Sequence, residues 1–217
     1  MTLTGPSRDA ASGTATSLVI FLHGYGADGA DLLGLADPLA PHLPDTAFHA
    51  PNAPQRSTLN PMGYQWFPIP WMDGSTEAQA AEGLAASAAK LDAFLDELAE
   101  TTGIGPARTV LVGFSQGTMM SLHVAPRRAA PVAGIVGFSG RLLAPERLAA
   151  EALSKPPVLL VHGDRDEVVH PSSMPEAAQA LRAAGFEVAT HVSKGTAHGI
   201  APDGLGLALG FIRDVLG

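Results

Sequence analysis

The chain has 217 residues, of which 46% are hydrophobic and 16% are charged, with no cysteine and a formal net charge of −8. This length and hydrophobic content favour one globular domain, because disordered chains are far more charged and polar. The lack of cysteine excludes disulfides, thiolate-bound metals and a cysteine nucleophile. The negative charge argues against nucleic acid and anionic lipid surfaces as partners.

The N-terminal stretch MTLTGPSRDAASGTATS lacks the basic start and apolar run of a secretory signal. No stretch approaches the roughly 20 uninterrupted apolar residues that cross a bilayer. We therefore expect a cytoplasmic protein without stable membrane insertion. In this interpretation residues 1–217 form a single domain, and residues 1–16 are an extended or flexible N-terminal segment.

Short apolar runs that are typical of buried strands alternate with stretches of helical periodicity. The predicted strands lie within 17–24, 46–51, 108–115, 132–140, 156–164 and 186–195. The predicted helices cover 76–101, 115–128, 172–184 and 204–216. Ser172 and Asp203 are predicted N-caps, and Gly185 is a predicted helix stop. The alternation predicts an α/β fold with a mostly parallel sheet and helices on both faces.

Residues 113–117, Gly-Phe-Ser-Gln-Gly, match the pattern G-x-S-x-G where a predicted strand becomes a predicted helix. This strand-to-helix turn is called the nucleophile elbow, or simply the elbow. The serine of such a turn has a strained backbone, and crowding leaves room only for glycine two residues to either side. The helix that follows directs its first N–H groups and the positive end of its dipole at the hydroxyl. This context predicts that Ser115 is a nucleophile and not merely part of a tight turn.

A second Gly-Phe-Ser-Gly follows the next predicted strand and contains Ser139. Gly140 comes directly after this serine, so the spacing of the pattern is missing. No long helix is predicted to begin there. We therefore interpret Ser139 as a turn residue at a strand end.

A serine hydroxyl needs a base to take its proton, and α/β-hydrolases place an acid and then the histidine after the serine. His198 lies in the glycine-bounded loop SKGTAHGIAPDG before the final predicted helix and is the predicted base. Asp166 follows a buried strand in VHGDRDEVVHP and is the predicted partner of that base. In the same loop we interpret Asp164 as a turn cap and Glu167 as solvated. The histidines interpreted as structural or surface residues are His123, His170 and His191.

The stretch FLHGYGADGADLLGLA places His-Gly after the first clear strand, and loops of this kind supply a backbone donor for an oxyanion. We predict the N–H groups of Tyr25 and Gln116 as the two donors. Asp28 and Asp31 do not have the spacing of a calcium loop. They favour a helix N-cap, and no metal site is predicted.

The motifs FLHGYGADGADL, APNAP, WF, GFSQG, HGDRDEVV and GTAHGI resemble, in order and spacing, those of the small carboxylesterase, phospholipase and acyl-protein thioesterase family of α/β-hydrolases. The resemblance runs from about Leu18 to Leu216 and implies the α/β-hydrolase fold. It also implies homodimers and no cofactor. The residues that match the family's triad and oxyanion donors are Ser115, Asp166, His198, Tyr25 and Gln116.

Two positions depart from the family's pattern. Thr118 stands where a second glycine often follows the elbow, and Glu167 stands where proline often follows the acid. Neither change removes a reacting group, but each could alter the geometry of a loop or the choice of substrate.

Both tryptophans of the chain lie in the long irregular segment 50–75, and loops of this length are often functional. The rings either plug the upper edge of the sheet or form an apolar wall for an acyl chain. We favour the wall, because the segment is too long and proline-rich for an ordinary connection. The predicted wall residues are Trp66, Phe67, Ile69, Trp71 and Met72.

These features together predict a serine-dependent carboxylic ester hydrolase that forms an acyl-enzyme and acts on short- to medium-chain esters. The alternatives within this chemistry are an acyl-protein thioesterase and a lysophospholipase, with a peptidase as a further rival. A catalytically silent binding protein of the same fold and a lipid-surface protein anchored by the aromatic segment are alternatives of other classes.

Overall fold

Strands and helices alternate along residues 3–217, the part of the chain that the computed structural model describes. The strands are β1 (Ser7–Arg8), β2 (Ser17–Leu22), β3 (Thr46–His49), β4 (Gln55–Arg56), β5 (Tyr64–Gln65), β6 (Thr109–Phe114), β7 (Gly134–Phe138), β8 (Val158–Gly163) and β9 (Val188–Ser193). The helices are α1 (Gly29–Leu33), α2 (Ala36–Leu39), α3 (Pro70–Asp73), α4 (Glu77–Thr102), α5 (Gln116–Val124), α6 (Pro145–Glu151), α7 (Ser173–Ala183) and α8 (Pro202–Leu216).

One seven-stranded sheet has the order β1-β3-β2-β6-β7-β8-β9. The edge strand β1 runs antiparallel to β3, and every other pair in this sheet is parallel. β4 and β5 form a separate antiparallel pair. The six predicted strands and the mostly parallel sheet are thus confirmed.

β1 lies within residues 1–16, the segment predicted to be extended or flexible. Its two residues, Ser7 and Arg8, pair with His49 and Phe48 of β3. A two-residue strand is too short to produce an alternating pattern, which is why the sequence did not predict it. Residues 1 and 2 lie outside the described part of the chain.

The central strands are buried on both faces, as a parallel sheet requires. Alternate side chains of β2 illustrate this: Ile20 packs with the core that α4, α5 and α7 cover, whereas Phe21 packs with the core that α1, α2 and α8 cover. Full burial of one such side chain contributes about 1.5–3 kcal/mol. Helices therefore lie on both faces, as predicted.

The ends of the long helices follow local rules. The capping box of Thr76 and Gln79 begins α4, because each side chain accepts a hydrogen bond from the backbone amide of the other. Gly185 has φ +88° and follows Ala184, the C-cap of α7, which confirms the predicted stop. Ser172 occupies the N-cap position of α7, but its side chain makes no capping hydrogen bond.

The prediction that Asp203 is an N-cap is wrong. α8 begins at Pro202, and the N-cap is Ala201. The Asp203 carboxylate instead accepts hydrogen bonds from His191 Nε2, at 2.7 Å, and from Ser193 Oγ, at 3.1 Å. Asp203 therefore joins α8 to β9, across the base of the loop that carries the predicted histidine.

No helix within residues 3–217 is sufficiently long and apolar to cross a membrane.

Candidate active site

Ser115 lies at the junction of β6 and α5 with φ 53° and ψ −113°, and its amide donates to the carbonyl of Phe138 at 2.8 Å. Positive φ is costly for a residue with a side chain. A Cβ added to Gly117 would lie 1.7 Å from the carbonyl oxygen of Leu22, and one added to Gly113 would lie 2.4 Å from the amide of Thr118. The two glycines are therefore required by close backbone approach, as the pattern implies.

Asp166 and His198, from the loops after β8 and β9, meet in a hydrogen bond. His198 Nδ1 lies 2.7 Å from Asp166 Oδ2. The other carboxylate oxygen accepts from the amides of Val168 and Val169, each at 2.9 Å. Burial alone would raise the pKa of Asp166, but the hydrogen bonds from His198, Val169 and Val168 outweigh it and lower that pKa. Asp166 is therefore a carboxylate at neutral pH and holds its proton donor in a fixed orientation.

A histidine that sequence reasoning missed lies behind this carboxylate. His162 is buried, and its Nε2 lies 2.9 Å from the carbonyl oxygen of Val169 and 3.2 Å from Asp166 Oδ2. The Asp166 side chain thus faces two imidazoles and two amides. The dipeptide His-Gly at the end of β8 is the only sequence signal for this contact, and it does not reveal where the ring points.

The loop after β8 has two other acidic residues, Asp164 and Glu167. Among residues 3–217, neither makes a hydrogen bond to His198. Asp164 Oδ1 accepts from the amide of Gly195 at 2.6 Å and so caps a turn, though in the neighbouring loop. Glu167 is exposed, as interpreted from the sequence.

The side chain of Phe114, the residue before Ser115, packs against the imidazole of His198. The ring centroids of Phe114 and His198 are 4.8 Å apart. Within residues 3–217, the Ser115 hydroxyl makes no hydrogen bond to His198 within 3.5 Å. Catalytic hydrogen bonds are often long in an enzyme without substrate and shorten when it binds.

Two backbone amides flank Ser115. Gly24 stands next to it, because a Cβ added there would lie 3.4 Å from the Ser115 Cβ. The N–H of Tyr25, which follows Gly24, is not used by any hydrogen bond among the described residues. The N–H of Gln116 is the first of α5 and has no acceptor within that helix. Both amides therefore lack a hydrogen-bond acceptor among residues 3–217.

Residues 8–216 match the family model described as phospholipase/carboxylesterase. The chain belongs to this family. Acyl-protein thioesterase 1 of Saccharomyces cerevisiae is 30% identical to it, over 93% of this chain and 94% of the relative. Esterase YpfH of Escherichia coli is 27% identical, over 92% of this chain and 83% of the relative. The crystal structure of esterase PE8 is 46% identical, with both chains fully covered and a TM-score of 0.94.

The family resemblance and the α/β-hydrolase fold predicted from the sequence are thereby confirmed. Membership of the phospholipase/carboxylesterase family makes the protein a hydrolase of the serine-hydrolase class.

The first departure from the family's pattern, Thr118, is accommodated by neighbouring glycines. Its Oγ1 lies 2.8 Å from the carbonyl oxygens of both Gly113 and Phe138, so the hydroxyl joins β6 to β7 beneath the elbow. A Cβ on Gly137 would lie 2.6 Å from the Thr118 methyl group, and one on Gly140 would lie 2.4 Å from its Cβ. The absence of side chains at Gly137 and Gly140 thus leaves the space that the Thr118 side chain occupies.

The side chain of Gln116 holds the aromatic segment, residues 50–75, by hydrogen bonds to its backbone. The Gln116 side chain accepts from the amide of Trp66 at 2.8 Å and donates to the carbonyl of Phe67 at 2.7 Å. Ser87 of α4 donates to the carbonyl of Trp66. These buried contacts fix the backbone of residues 66–67 directly above α5.

The five predicted wall residues separate into two groups by burial. Trp66 is fully buried, and Phe67 and Ile69 belong to the same core. Their burial fits the interpretation in which the rings plug the upper edge of the sheet. Trp71 is 64% exposed and Met72 is half-buried, so only these two offer accessible surface to an acyl chain.

The described residues show no group of three His, Asp or Glu side chains arranged to hold a metal ion. Asp28 caps α1 by accepting from the amide of Asp31 at 3.0 Å. The predicted N-cap is therefore confirmed.

Proposed function

We propose that the protein is a carboxylic ester hydrolase in which Ser115, His198 and Asp166 act through an acyl-enzyme. The hydrogen bond between His198 and Asp166, next to a serine with positive φ, is the observation that carries this proposal. Since Nδ1–H of His198 donates to the carboxylate, Nε2 is left unprotonated and can accept a proton. This is the tautomer that a general base requires.

The reaction then has two halves. Ser115 Oγ attacks the ester carbonyl carbon while His198 Nε2 takes its proton, and Asp166 stabilises the imidazolium. The C–O bond to the alcohol breaks as His198 returns the proton to the leaving oxygen. Water then attacks the acyl carbonyl carbon while His198 takes a proton from it. The bond between that carbon and Ser115 Oγ breaks, His198 returns the proton to Oγ, and the carboxylic acid is released.

The N–H groups of Tyr25 and Gln116 would stabilise the oxyanion that forms in both halves. One such donor contributes about 3–4 kcal/mol to the transition state. Their support is the position of Gly24 against Ser115 and the free first amide of α5.

We propose short- to medium-chain esters as substrates, with Trp71 and Met72 as the accessible part of the acyl wall. A series of p-nitrophenyl esters from acetate to decanoate tests this. Trp71→Ala should raise KM several-fold for the longer esters and leave acetate unchanged. Leu207→Ala, which removes an exposed apolar side chain from α8, is the matched control. Equal effects on all esters would contradict the acyl wall.

Thioester hydrolysis is the second candidate, because several family relatives are named acyl-protein thioesterases. A thioester and an oxygen ester with the same acyl group, compared by kcat/KM, distinguish the two activities. Lysophospholipase activity stays a prediction as well, as do a homodimer and a cytoplasmic location. Light scattering in solution measures the oligomeric state.

Peptide mapping after reaction with a fluorophosphonate tests the nucleophile. The expected result is an adduct on Ser115 in native protein and none in heat-denatured protein. Absence of the adduct from native protein that is folded would contradict the proposed reaction and favour a catalytically silent binding protein.

A further inference from the structure

His23 is a fully buried histidine that lies directly after β2 and takes no part in the proposed proton transfer. Its Nδ1 lies 2.7 Å from the carbonyl oxygen of Gly24, and its Nε2 lies 2.9 Å from the amide nitrogen of Ala53. A backbone amide can only donate, so Nε2 accepts and the proton of the ring is on Nδ1. The surroundings therefore fix the tautomer in which His23 donates to Gly24.

The surroundings also keep this ring uncharged. Burial lowers the pKa of His23, and the hydrogen bond to Gly24 and the carboxylates of Asp28 and Asp31 oppose that shift without reversing it. A charged ring would also turn an N–H toward the donating amide of Ala53. The neutral Nδ1–H form is thus the one that fits at neutral pH.

The Gly24 carbonyl belongs to the same peptide unit as the N–H of Tyr25. Peptide bonds within residues 3–217 are trans, and the C=O and N–H of a trans peptide point in opposite directions in one plane. The short hydrogen bond from His23, together with a longer one of 3.3 Å from the Ala27 amide, therefore sets the direction of the Tyr25 N–H, which faces away from the buried ring. Hydrogen bonding at the carbonyl also polarises the peptide and strengthens its N–H as a donor.

Trp66 holds His23 in place. The two ring centroids are 5.6 Å apart, and Trp66 Nε1 donates to the His23 carbonyl oxygen at 2.9 Å. The backbone amide of Trp66 donates to the side chain of Gln116. One buried set of contacts thus connects Tyr25 and Gln116, the two residues whose amides would bind the oxyanion.

We propose that His23 is a positioning residue for the ester hydrolysis: as the neutral Nδ1–H tautomer, it fixes the Gly24–Tyr25 peptide so that the Tyr25 N–H meets the oxyanion. This role rests on the proposed function, because it requires an oxyanion beside Ser115. A histidine that only filled the core would affect stability and the folded fraction, and would leave the turnover of each folded molecule unchanged.

Two substitutions separate these roles. His23→Asn places an amide NH₂ near the position of Nδ1, where it can donate to Gly24 but cannot reach Ala53. His23→Gln places its amide near the position of Nε2, where it can accept from Ala53 but no longer donates to the Gly24 carbonyl, which keeps only the 3.3 Å hydrogen bond from the Ala27 amide. Each variant loses the ring and one hydrogen bond, so we expect similar decreases in Tm.

Turnover should differ between the two variants. His23→Gln should lower kcat per fluorophosphonate-titrated active site by about 10- to 100-fold, with KM for p-nitrophenyl acetate changed by less than about threefold. His23→Asn should keep kcat per active site within about fivefold of the wild type. Equal losses in both variants, or no loss in His23→Gln, would overturn the role of His23.

Labelling of wild-type Ser115 keeps the two proposals distinguishable. With Ser115 labelled, equal kcat values for the variants overturn only the role of His23, whereas an unlabelled wild type overturns both proposals. Long-range ¹⁵N–¹H NMR of the wild-type imidazoles needs no substitution and applies even if neither variant folds. The expected result at neutral pH is a neutral His23 with its proton on Nδ1, and a proton on Nε2 would overturn the proposal.

Discussion

The neighbouring strands β6 and β7 end in nearly the same sequence, Gly-Phe-Ser-Gln-Gly and Gly-Phe-Ser-Gly-Arg. Phe114 and Phe138 pair in the parallel register, so the serines that follow them lie side by side. Both serines have positive φ, 53° at Ser115 and 46° at Ser139, and both are buried. Backbone strain therefore does not distinguish them.

The two serines differ in the structure on their C-terminal side. Ser115 is the N-cap of α5 and lies close to two amides without an acceptor, whereas Ser139 is followed by Gly140 and a loop. A Cβ at Gly140 would lie 2.9 Å from the Ser115 carbonyl oxygen, so the β7 end is shaped to pass close to the elbow. The Ser139 hydroxyl has no hydrogen-bond partner among residues 3–217. The helix after Ser115 and the two nearby amides without an acceptor, and not the backbone strain, are what make Ser115 the candidate nucleophile.

The largest expected effect comes from exchanging the two serines for alanine. Ser115→Ala should lower kcat/KM for p-nitrophenyl acetate by a factor on the order of 10⁴–10⁶, because it removes the proposed nucleophile. Ser139→Ala should change it by less than about threefold. Comparable losses in the two variants would mean that the β7 end takes part in the chemistry.

The second largest effect is expected in the loop after β8, where the two aspartates Asp164 and Asp166 can be compared in the same way. Asp166→Asn should lower kcat by a factor on the order of 10⁴, because an amide can donate to His198 Nδ1 and so favour the wrong tautomer. Asp164→Asn keeps the carbonyl oxygen that accepts from Gly195 and serves as the control, with a loss below about tenfold. Steady-state kinetics on both variants checks this, and the assignment of Asp166 is wrong if the control loses as much.

A stability measurement tests how β7 adapts to the elbow. Gly137→Ala should lower the free energy of unfolding by about 1–3 kcal/mol, because the new Cβ meets the Thr118 methyl group. Thr118→Ser removes that methyl group and keeps the hydroxyl. Urea unfolding of the double variant should therefore show a favourable coupling of about 1 kcal/mol. Strict additivity would show that the two positions do not compete for space.

The smallest expected effect is a pH dependence of stability that comes from His123, near the C-terminal end of α5. Within the described residues, no such helix follows β7 directly. Burial, with a contribution from Arg127, lowers the pKa of His123 to about 4. The unfolded chain therefore binds more protons than the folded one between about pH 6.5 and pH 4, and stability falls as the pH falls through that window. His123 is partly exposed, so screening limits its share to about 1–2 kcal/mol.

His123→Gln should reduce this pH dependence without removing it, because burial also lowers the pKa values of His23 and His49. Denaturant unfolding at several pH values measures the slope. An unchanged slope in His123→Gln would contradict the pKa shift.

The fold was predictable where elements are long and buried. Runs such as those of β2, β6 and β8 are apolar on both faces and signal strands of a covered parallel sheet. The short helices α1, α2, α3 and α6 have four to seven residues, too few to show a period. The sequence predicted only the N-cap of α1 and none of the other three.

The meeting of Asp166 and His198 was predictable because the loops of neighbouring parallel strands share one edge of the sheet. The burial of Trp66 was not, since an aromatic, proline-rich segment has the same composition whether it packs inward or outward. Its contacts with Gln116 and Ser87 join positions far apart in the chain. The same reason hid the contacts of His23 and His162, which depend on where each ring points.

Gln116 uses its backbone and its side chain for two different purposes at once. Its N–H is an oxyanion donor in the proposed mechanism, and its carboxamide holds residues 66 and 67. A substitution of Gln116 would therefore change both the reaction rate and the position of residues 66 and 67. Neither property can be altered at this residue without the other. Trp71 and Met72 lie outside that constraint. If the proposed acyl wall is correct, evolution or engineering of a new acyl preference has its freest route through these two side chains.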